Sequence, residues 1–176
     1  MNLLIPIVVM LICAALWILW THPLGAGWQP TPNKIVRVML ILAQTNPSDI
    51  VYDLGSGDGR ILVTASKEFG ARSVGIEVDP LRFLWSKIRI IFLGLNHLSK
   101  VVYGNVYHKN LSEATVVTLF LSRRANNKLK TKLKELGPGT RIVSYWHPIE
   151  NWEPDEVHYN PKIYLYKIPK TPPAPV

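Results

Sequence analysis

The sequence predicts an α/β fold: a doubly wound, Rossmann-like sheet of parallel strands that ends in an antiparallel hairpin. The first sign is the apolar, β-branched run 50–54, which a glycine-rich turn and a helical segment follow directly. The second is that short apolar runs and helical segments keep alternating along the chain, as in successive β-α-β units. The third is a pair of strand-like runs, 156–159 and 163–168, joined by Asn160-Pro161.

Each element has its own local signal. An apolar stripe at helical spacing predicts a helix over 33–43, and the glycine turn leads into a helix over 60–69. Pro80 opens the next helix and Gly94 ends it, while Gly137-Pro138-Gly139 stops the last one. The remaining predicted strands are the run that ends at Glu77, then 100–103, 115–121 and 141–144, and the remaining predicted helices are 80–93 and 126–136.

Alternate glycines after the first strand predict a turn that approaches a ligand closely. Gly55, Gly57 and Gly59 permit positive φ, and a strand, turn and helix in this order aim backbone N–H groups at the ligand. Glu77 ends the next strand, 22 residues after Gly55, about where a doubly wound fold places the carboxylate that holds a ribose. The ligand predicted from these residues is a nucleoside.

The details of the turn narrow the ligand further. Its spacing is G-x-G-x-G rather than the G-x-G-x-x-G of dinucleotide sites, with Asp53 before it and Asp58 inside it. Two carboxylates would repel a pyrophosphate but suit a ligand that carries an ammonium and a sulfonium. We therefore predict S-adenosylmethionine as the cofactor.

These motifs resemble those of class I (seven-strand) S-adenosylmethionine-dependent methyltransferases. The chain is most similar to a small family of protein lysine methyltransferases, which includes enzymes acting on the ATP synthase c-subunit and the adenine nucleotide translocase, and an archaeal enzyme. The similar stretches recur in order over about residues 29 to 168: QPTPNKIVRVML (29–40), VYDLGSGDGRILV (51–63), GIEVDP (75–80), ATVVTLFL (114–121) and LKELGPGTRIVS (133–144).

The resemblance implies a set of cofactor contacts. Asp53 and the turn would hold the methionine end of the cofactor, Glu77 the ribose hydroxyls and Asn105 the adenine amine. Family members usually carry Asp at the position of Asn105, and the alternative for this residue is a simple turn role after Gly104. The predicted cofactor-binding residues are Asp53, Gly55, Ser56, Gly57, Gly59, Glu77 and Asn105.

The acceptor should approach from the carboxyl ends of the fourth and fifth strands. Phe120, Tyr145 and Trp146 lie there in sequence, and aromatic rings stabilise a lysine amine by cation–π contact. Family members usually carry Tyr at the position of Phe120. Tyr145 and His147 are candidates for a catalytic base, and the alternative is that these side chains only contribute to packing.

An apolar N-terminal run predicts a membrane anchor. Residues 3–20 carry no charge and just span a hydrocarbon core, while a cleaved signal peptide is the rival interpretation. All basic residues begin at Lys34, which favours a single-pass protein of the cell membrane with its catalytic domain in the cytoplasm. The predicted organisation is a transmembrane anchor at 1–21, a linker at 22–32, a methyltransferase domain at 33–170 and a disordered tail at 171–176.

Composition excludes some classes and suggests partners. A single cysteine, Cys13, excludes an intrachain disulfide and a thiolate metal cluster, and we predict no metal site. The net charge of +8 favours an anionic neighbour. One basic run is interpreted as a solvated helix face, a contact with anionic lipid or an RNA contact: Arg123, Arg124, Lys128, Lys130, Lys132 and Lys134.

Together these patterns predict a membrane-anchored methyltransferase whose acceptor is a protein lysine. The chain lacks the Asn-Pro-Pro-Tyr type of motif after the fourth strand that marks methylation of glutamine amides and bases. Three alternatives remain open: a lipid or quinone methyltransferase, an RNA methyltransferase, and a cofactor-binding scaffold without catalysis. Fold and cofactor motif are shared by enzymes with unrelated acceptors, so they do not choose among these.

Overall fold

The computed structural model describes residues 4–21 and 29–170, which form five helices and seven strands. The predicted α/β alternation is present, and the elements follow the sequence in this order: α1 Leu4–Thr21, α2 Asn33–Leu42, β1 Ile50–Leu54, α3 Arg60–Phe69, β2 Arg72–Glu77, α4 Pro80–Phe92, β3 Ser99–Tyr103, β4 Val116–Leu119, α5 Arg123–Lys134, β5 Arg141–Tyr145, β6 Glu156–Tyr159 and β7 Lys162–Lys167.

The strands form one sheet in the order β3-β2-β1-β4-β5-β7-β6. β1 to β5 are mutually parallel, whereas β7 runs antiparallel to both of its neighbours, β5 and β6. This is the predicted doubly wound sheet with a C-terminal hairpin. The strand order reverses beside β1, so β1 lies at the topological switch point where such folds bind their ligands.

The register of the sheet places Asp53 between two strands. Asp53 on β1 pairs with Gly75 on β2 and with Thr118 on β4. Because all three strands are parallel, their carboxyl ends meet at one edge of the sheet. The residues that follow β1, β2, β4 and β5 are thereby gathered at that edge.

A hydrophobic core covers each face of the sheet, because side chains alternate along a strand. On one face Val51 packs with residues of α2 and α3, including Met39 and Ile61. On the other face Tyr52 packs in the cluster that contains Leu129 and Leu133 of α5. The two layers of helices hold the carboxyl edge of the sheet fixed on both sides.

Several predicted boundaries differ from the observed ones, and two of them flank Phe120. α5 begins at Arg123 rather than at residue 126, because the Ser122 hydroxyl accepts a hydrogen bond from the Ala125 N–H (3.3 Å) and caps the helix earlier. β4 ends at Leu119 rather than at residue 121, so Phe120 lies just beyond the strand. The predicted tail at 171–176 and most of the predicted linker lie outside the described residues.

The predicted transmembrane anchor is wrong. α1 has 18 residues, at the lower end of the range of about 17–25 residues that spans a hydrocarbon core. Within residues 4–21 and 29–170, no helix is long and apolar enough to cross a membrane. This finding overturns the anchor at 1–21, the single-pass localisation in the cell membrane and the cytoplasmic orientation that was inferred from it.

Four of the basic side chains on α5 contact the rest of the chain. Lys130 Nζ donates to the carbonyls of Glu150 and Asn151 (2.7 and 2.8 Å), and Lys132 Nζ donates to two carbonyls in the loop after β3. Lys128 lies over the ring of Tyr107 and Lys134 over that of Trp152. These contacts give four of the six basic side chains a role in holding two loops, and they do not support the contact with anionic lipid that was one of the three interpretations of the run.

A buried ion pair ties the first helix of the sheet domain to the sheet. The Arg141 guanidinium on β5 pairs with the carboxylate of Asp49, just before β1, and donates to the carbonyl of Ala43 (2.9 Å) at the end of α2. Asp49 is almost fully buried and also accepts from the hydroxyl of Thr115 (2.7 Å). One guanidinium therefore joins α2, β1 and β5 at the amino edge of the sheet.

We expect Arg141→Met to lower the free energy of unfolding by about 3–5 kcal/mol, because it leaves the Asp49 carboxylate buried without a cation. The double variant Arg141→Met/Asp49→Asn removes that charge and should lose clearly less stability than Arg141→Met alone. Urea unfolding followed by circular dichroism measures both. Additive losses in the double variant would show that the two side chains are not coupled.

Candidate functional site

The site is organised around a buried carboxylate. Asp53 lies near the carboxyl end of β1 and is 4% exposed. The register brings Thr118 of β4 beside it, and the Thr118 hydroxyl donates a hydrogen bond of 2.8 Å to Asp53 Oδ1. Thr118 is itself fully buried, so this contact is shielded from water.

Burial raises the pKa of Asp53 to about 7. The hydrogen bond from Thr118 acts in the opposite direction, and the nearby carboxylates of Glu77 and Asp58 raise the pKa further. Removing water penalises the charged form of an acid, and neighbouring negative charges add to this penalty. Asp53 is therefore a carboxylate whose ionised form would be stabilised by a cation at this edge of the sheet.

The glycine turn after β1 has the predicted left-handed backbone. Gly55, Gly57 and Gly59 have φ values of 84°, 54° and 75°. The N–H groups of Gly55 and Ser56 both donate to the carbonyl of Ile76 on β2 (2.9 and 3.0 Å). These N–H groups were expected to point at the ligand, but they fasten the turn to the neighbouring strand.

The turn is too tightly packed to accept side chains at two of its glycines. A Cβ at Gly59 would collide with the hydroxyl of Ser86 on α4, and a Cβ at Gly55 would lie 3.0 Å from Leu121 Cδ2. Positive φ would strain any other residue at both positions. Positive φ together with close packing against Ser86 and Leu121 therefore explains why glycine stands at these two positions of the turn.

Glu77 links the turn to the end of β2. Its carboxylate accepts from the N–H of Gly57 (2.7 Å) through one oxygen, and from the N–H groups of Val78 and Asp79 through the other. A carboxylate has about four acceptor positions, so the three observed bonds leave room for a further donor. The ribose contact stays a prediction, and the structure adds a second role for Glu77 in shaping the turn.

Asp58 was expected to attract the cationic cofactor, but its carboxylate pairs with cations of the protein instead. Its carboxylate forms ion pairs with Arg60 (2.8 Å) and with Arg89 of α4 (3.1 Å). Partial burial works to raise the pKa of Asp58, but the hydrogen bonds and charge of Arg60 and the charge of Arg89 outweigh it and lower the pKa. Asp58 is thus neutralised within the protein, whereas no ion pair within residues 4–21 and 29–170 involves Asp53 or Glu77.

The segment before α2 forms one wall of the cleft. Gln29, Pro30 and Thr31 line it together with Asp53 and the glycine turn, and its volume is about 380 Å³ including the part open to solvent. Arg60 Nη1 donates to the Thr31 carbonyl (2.8 Å), which holds this segment against the turn. Residues 29–31 were predicted as part of a linker, and the structure places them in the site.

Asn105 lies in the loop after β3. Its side-chain oxygen accepts a hydrogen bond of 3.0 Å from the N–H of Tyr107, which closes a local turn. This contact agrees with the turn role considered as the alternative, and it uses one of the two lone pairs of the amide oxygen. The adenine contact of Asn105 stays a prediction.

Three aromatic rings lead from the cleft to the surface. Phe120 lines the cleft, and its ring centroid lies 4.6 Å from that of Tyr145, which in turn lies 6.2 Å from that of Trp146. Trp146 is 58% exposed and therefore contributes little to the core. The structure thus brings together all three residues predicted to line an acceptor channel.

The two candidates for a catalytic base differ in their surroundings. Tyr145 is half-buried between Phe120 and Trp146. Burial lowers the pKa of His147, and the positive charge of Arg123 lowers it further, so the imidazole is neutral at physiological pH. A neutral imidazole is able to accept a proton, but the base assignments of Tyr145 and His147 stay predictions.

Sequence reasoning missed Thr118, Arg60 and the wall at 29–31. Thr118 lies in a run of apolar residues, and only the register between β1 and β4 shows that it faces Asp53. Arg60 was noted only as the start of a helix. Among residues 4–21 and 29–170, no group of three or more His, Cys, Asp and Glu side chains is arranged to hold a metal.

The residues present fit S-adenosylmethionine. The methionine end of this cofactor carries an ammonium and a sulfonium, and Asp53 offers a buried carboxylate that lacks a cation. Gly55, Ser56 and Gly57 of the turn line the same cleft as Asp53, about 380 Å³ in volume including the part open to solvent. Charge and shape therefore agree at the same end of the cleft.

Comparison with known proteins identifies relatives of this chain. The model of the ANTKMT methyltransferase domain family matches residues 53–156. A protein-lysine N-methyltransferase of Saccharolobus islandicus is 46% identical over 147 residues, which cover 79% of this chain and 91% of that protein. The lysine N-methyltransferase of Xenopus laevis that acts on the ATP synthase c-subunit is 33% identical over 72% of this chain, and the match covers 55% of that enzyme.

A solved structure gives the same result for fold and cofactor. An RNA methyltransferase from Salinibacter ruber, crystallised with S-adenosyl-L-homocysteine, superimposes with a TM-score of 0.79 at 39% identity. The match covers 84% of this chain and 98% of that chain. These similarities confirm the predicted seven-strand methyltransferase fold and the predicted cofactor.

We expect cofactor affinity to rise about eightfold between pH 6 and pH 7.5, because the Asp53 carboxyl, with its pKa of about 7, must lose its proton to attract the cationic cofactor. Calorimetry in two buffers of different ionisation enthalpy should detect proton release on binding at pH 6. In Asp53→Asn the rise and the release should both disappear. A wild-type affinity that does not change over this range would contradict the assignment.

Thr118→Val should move the same pH dependence upwards, because it removes the hydrogen bond that lowers the pKa of Asp53 while keeping a β-branched side chain. The cofactor affinity should therefore fall near pH 7 and recover at higher pH. A uniform loss of affinity at every pH would instead indicate a purely structural role for Thr118.

Proposed function

Because this chain belongs to the ANTKMT methyltransferase domain family, we propose that it transfers a methyl group from S-adenosylmethionine to the ε-amine of a lysine in a protein. The chain is an S-adenosylmethionine-dependent methyltransferase, in agreement with its family and its solved relative. The lysine acceptor is the finer part of the proposal. It rests on the aromatic rings beside the cleft and on the names of the relatives.

One observation carries the proposal: the ring of Phe120 lines the cleft with Asp53 and the glycine turn and packs at a tilt of 48° against the ring of Tyr145. A path of aromatic rings therefore runs from the cofactor side of the site to Trp146 at the surface. Aromatic faces attract an ammonium and exclude water from it. Such a path suits the long, apolar stem and the cationic end of a lysine side chain.

Methyl transfer from a sulfonium needs little covalent catalysis by the protein. When bound, S-adenosylmethionine supplies a methyl group on a sulfonium that is already activated as a leaving group. The residues of this chain must align the amine with that methyl and keep water out. Desolvation beside the rings of Phe120 and Tyr145 would lower the pKa of the incoming ammonium, so that it loses its proton to solvent before the amine lone pair attacks the methyl group.

On the cofactor side, we assign the methionine end to Asp53 and to the turn that contains Gly55, Ser56, Gly57 and Gly59. The support is the buried carboxylate without a cation and the close-packed backbone. Glu77 would bind the ribose through its remaining acceptor position. Asn105 would accept from the adenine amine through its second lone pair.

The relatives support a protein acceptor. The Saccharolobus protein is a protein-lysine N-methyltransferase, and this chain covers nine-tenths of its length. The chain spans only about half the length of the Xenopus enzyme, whose acceptor is the ATP synthase c-subunit. We therefore take from these relatives the class of acceptor, a lysine in a protein, and propose no individual substrate.

RNA is a second candidate acceptor. The Salinibacter relative is described as an RNA methyltransferase, and this chain has a net charge of +8, which favours contact with phosphates. Four cations of the basic run are engaged within the protein, however, which reduces the free positive surface on α5.

An assay with methyl-labelled cofactor distinguishes the acceptors. The full chain is incubated with cell extract, and protein, RNA and lipid fractions are separated before counting. We expect label in protein, at positions that mass spectrometry identifies as methyl-lysine. Label in RNA, or in the lipid and quinone fraction, would select those acceptors instead, and no label in any fraction would favour a cofactor-binding scaffold.

We expect Trp146→Ala to lower the kcat/KM of methylation for the acceptor at least tenfold while leaving cofactor affinity nearly unchanged, because Trp146 lies at the outer end of the aromatic path. Its 58% exposure implies little loss of melting temperature. The exposed Phe92 on α4 offers a matched control, since Phe92→Ala removes a similar ring far along the chain from that path. A normal kcat/KM in Trp146→Ala would contradict the proposed channel.

A further inference from the structure

The backbone at Trp146 is strained. Trp146 has a φ of 69°, and the N–H of His147 donates to the carbonyl of Tyr145 (2.9 Å), two residues back. This combination is a γ-turn of the rare, positive-φ type. A bulky residue avoids positive φ unless its surroundings impose it, and such strain concentrates at functional sites.

A buried hydrogen-bond network imposes this turn. The carbonyl of His147 accepts from the Ser144 hydroxyl (2.6 Å) and from Asn126 Nδ2 (3.0 Å). Asn126 Nδ2 also donates to the Ser144 hydroxyl (3.1 Å). Asn126 and Ser144 are both fully buried, so water cannot replace these bonds. On the other side, the N–H of Trp146 donates to the carbonyl of Lys162 on β7 (2.9 Å).

Asn126 is an unusual choice for its position. It lies in the first turn of α5, on the buried face of the helix between Ala125 and Leu129. Its Oδ1 is buried without a hydrogen-bond partner, which costs free energy, while both observed bonds of its Nδ2 serve the segment 144–147. An apolar residue would pack there without this cost, so the amide has a use beyond the stability of the helix.

We propose that Asn126 is a positioning residue for the methyl acceptor: it holds the strained turn that keeps the Trp146 ring at the outer end of the aromatic path. This inference rests on the proposed function, because it takes that path as the way in for the lysine. Asn126 touches neither acceptor nor cofactor. It acts through the carbonyl of His147, which fixes the direction in which the Trp146 side chain leaves the backbone.

The consequence of losing Asn126 follows from the strain. Without the two bonds of Asn126, only the Ser144 hydroxyl holds the His147 carbonyl, so the turn can relax towards negative φ and the indole ring can swing away from Tyr145. Asp53 and the glycine turn belong to β1 and its following loop, so the cofactor side keeps its geometry. The effect should therefore appear in the KM for the acceptor protein and leave the Kd of the cofactor unchanged.

A double-variant cycle tests the proposal on the full chain. The variants are Asn126→Ala, Trp146→Gly and both together, each measured for acceptor KM, kcat, cofactor Kd and melting temperature, with the acceptor protein that the labelling assay identifies. We expect Asn126→Ala to raise the acceptor KM about tenfold. Trp146→Gly should raise the KM at least as much and also raise the melting temperature, because glycine adopts positive φ without strain.

The decisive measurement is the double variant. If Asn126 acts through Trp146, adding Asn126→Ala to Trp146→Gly should not raise the KM further. Asn127→Ala is the matched control: it removes the neighbouring amide of α5, which accepts from the N–H of Glu150 (2.9 Å), and should leave the KM within about twofold. If Asn126→Ala does not fold, Ser144→Ala removes the 2.6 Å bond to the same carbonyl and replaces it in the cycle.

The outcomes separate the inference from the function on which it rests. An unchanged acceptor KM and kcat in Trp146→Gly would overturn the aromatic path itself. A raised KM in Trp146→Gly together with a normal KM in Asn126→Ala, or effects that multiply in the double variant, would overturn the positioning role and leave the path intact.

Discussion

A carboxylate held out of water at the centre of a parallel sheet is the constraint on which the rest of this site depends. Asp53 is surrounded by strands on both sides, and a single hydroxyl, that of Thr118, donates to it. The protein accepts this electrostatic cost before any ligand arrives. A cationic ligand then finds a charge that needs no reorganisation of solvent, and binding removes a penalty that folding introduced.

The other charged side chains near the turn do not neutralise the carboxylate of Asp53. Arg60 lines the same cleft as Asp53, but Asp58 forms ion pairs with both Arg60 and Arg89. The carboxylate of Glu77 accepts three hydrogen bonds from backbone N–H groups of the same region. Each of these side chains satisfies a neighbour within the protein, so the cationic partner of Asp53 has to come from outside.

The sequence could predict the features of the site that depend on neighbouring residues. It could not predict the features that depend on the register between strands or on the direction in which a side chain points. The order of strand, glycine turn and helix fixes Asp53 and Glu77, because each is set by a few neighbouring residues. The contact of Thr118 with Asp53 could not be predicted, because nothing in the sequence gives the register of β4 on β1. The sequence correctly predicted a carboxylate at Asp58 inside the turn, but it did not predict that this carboxylate points to Arg60 and Arg89. The apolar run at the N-terminus was over-interpreted as an anchor, since no helix within residues 4–21 and 29–170 is both long and apolar enough to cross a membrane.

The hydrogen bond between Arg60 and the Thr31 carbonyl connects the segment before α2 to the cleft. The chain enters the fold through residues 29–31, which form a wall of the cleft, and Arg60 ties that wall to the first turn of α3. A pull on the segment that precedes residue 29 would be transmitted along this tie to the glycine turn. A protein shortened to begin at residue 33 would keep every strand of the sheet, yet its cleft would be open on one side.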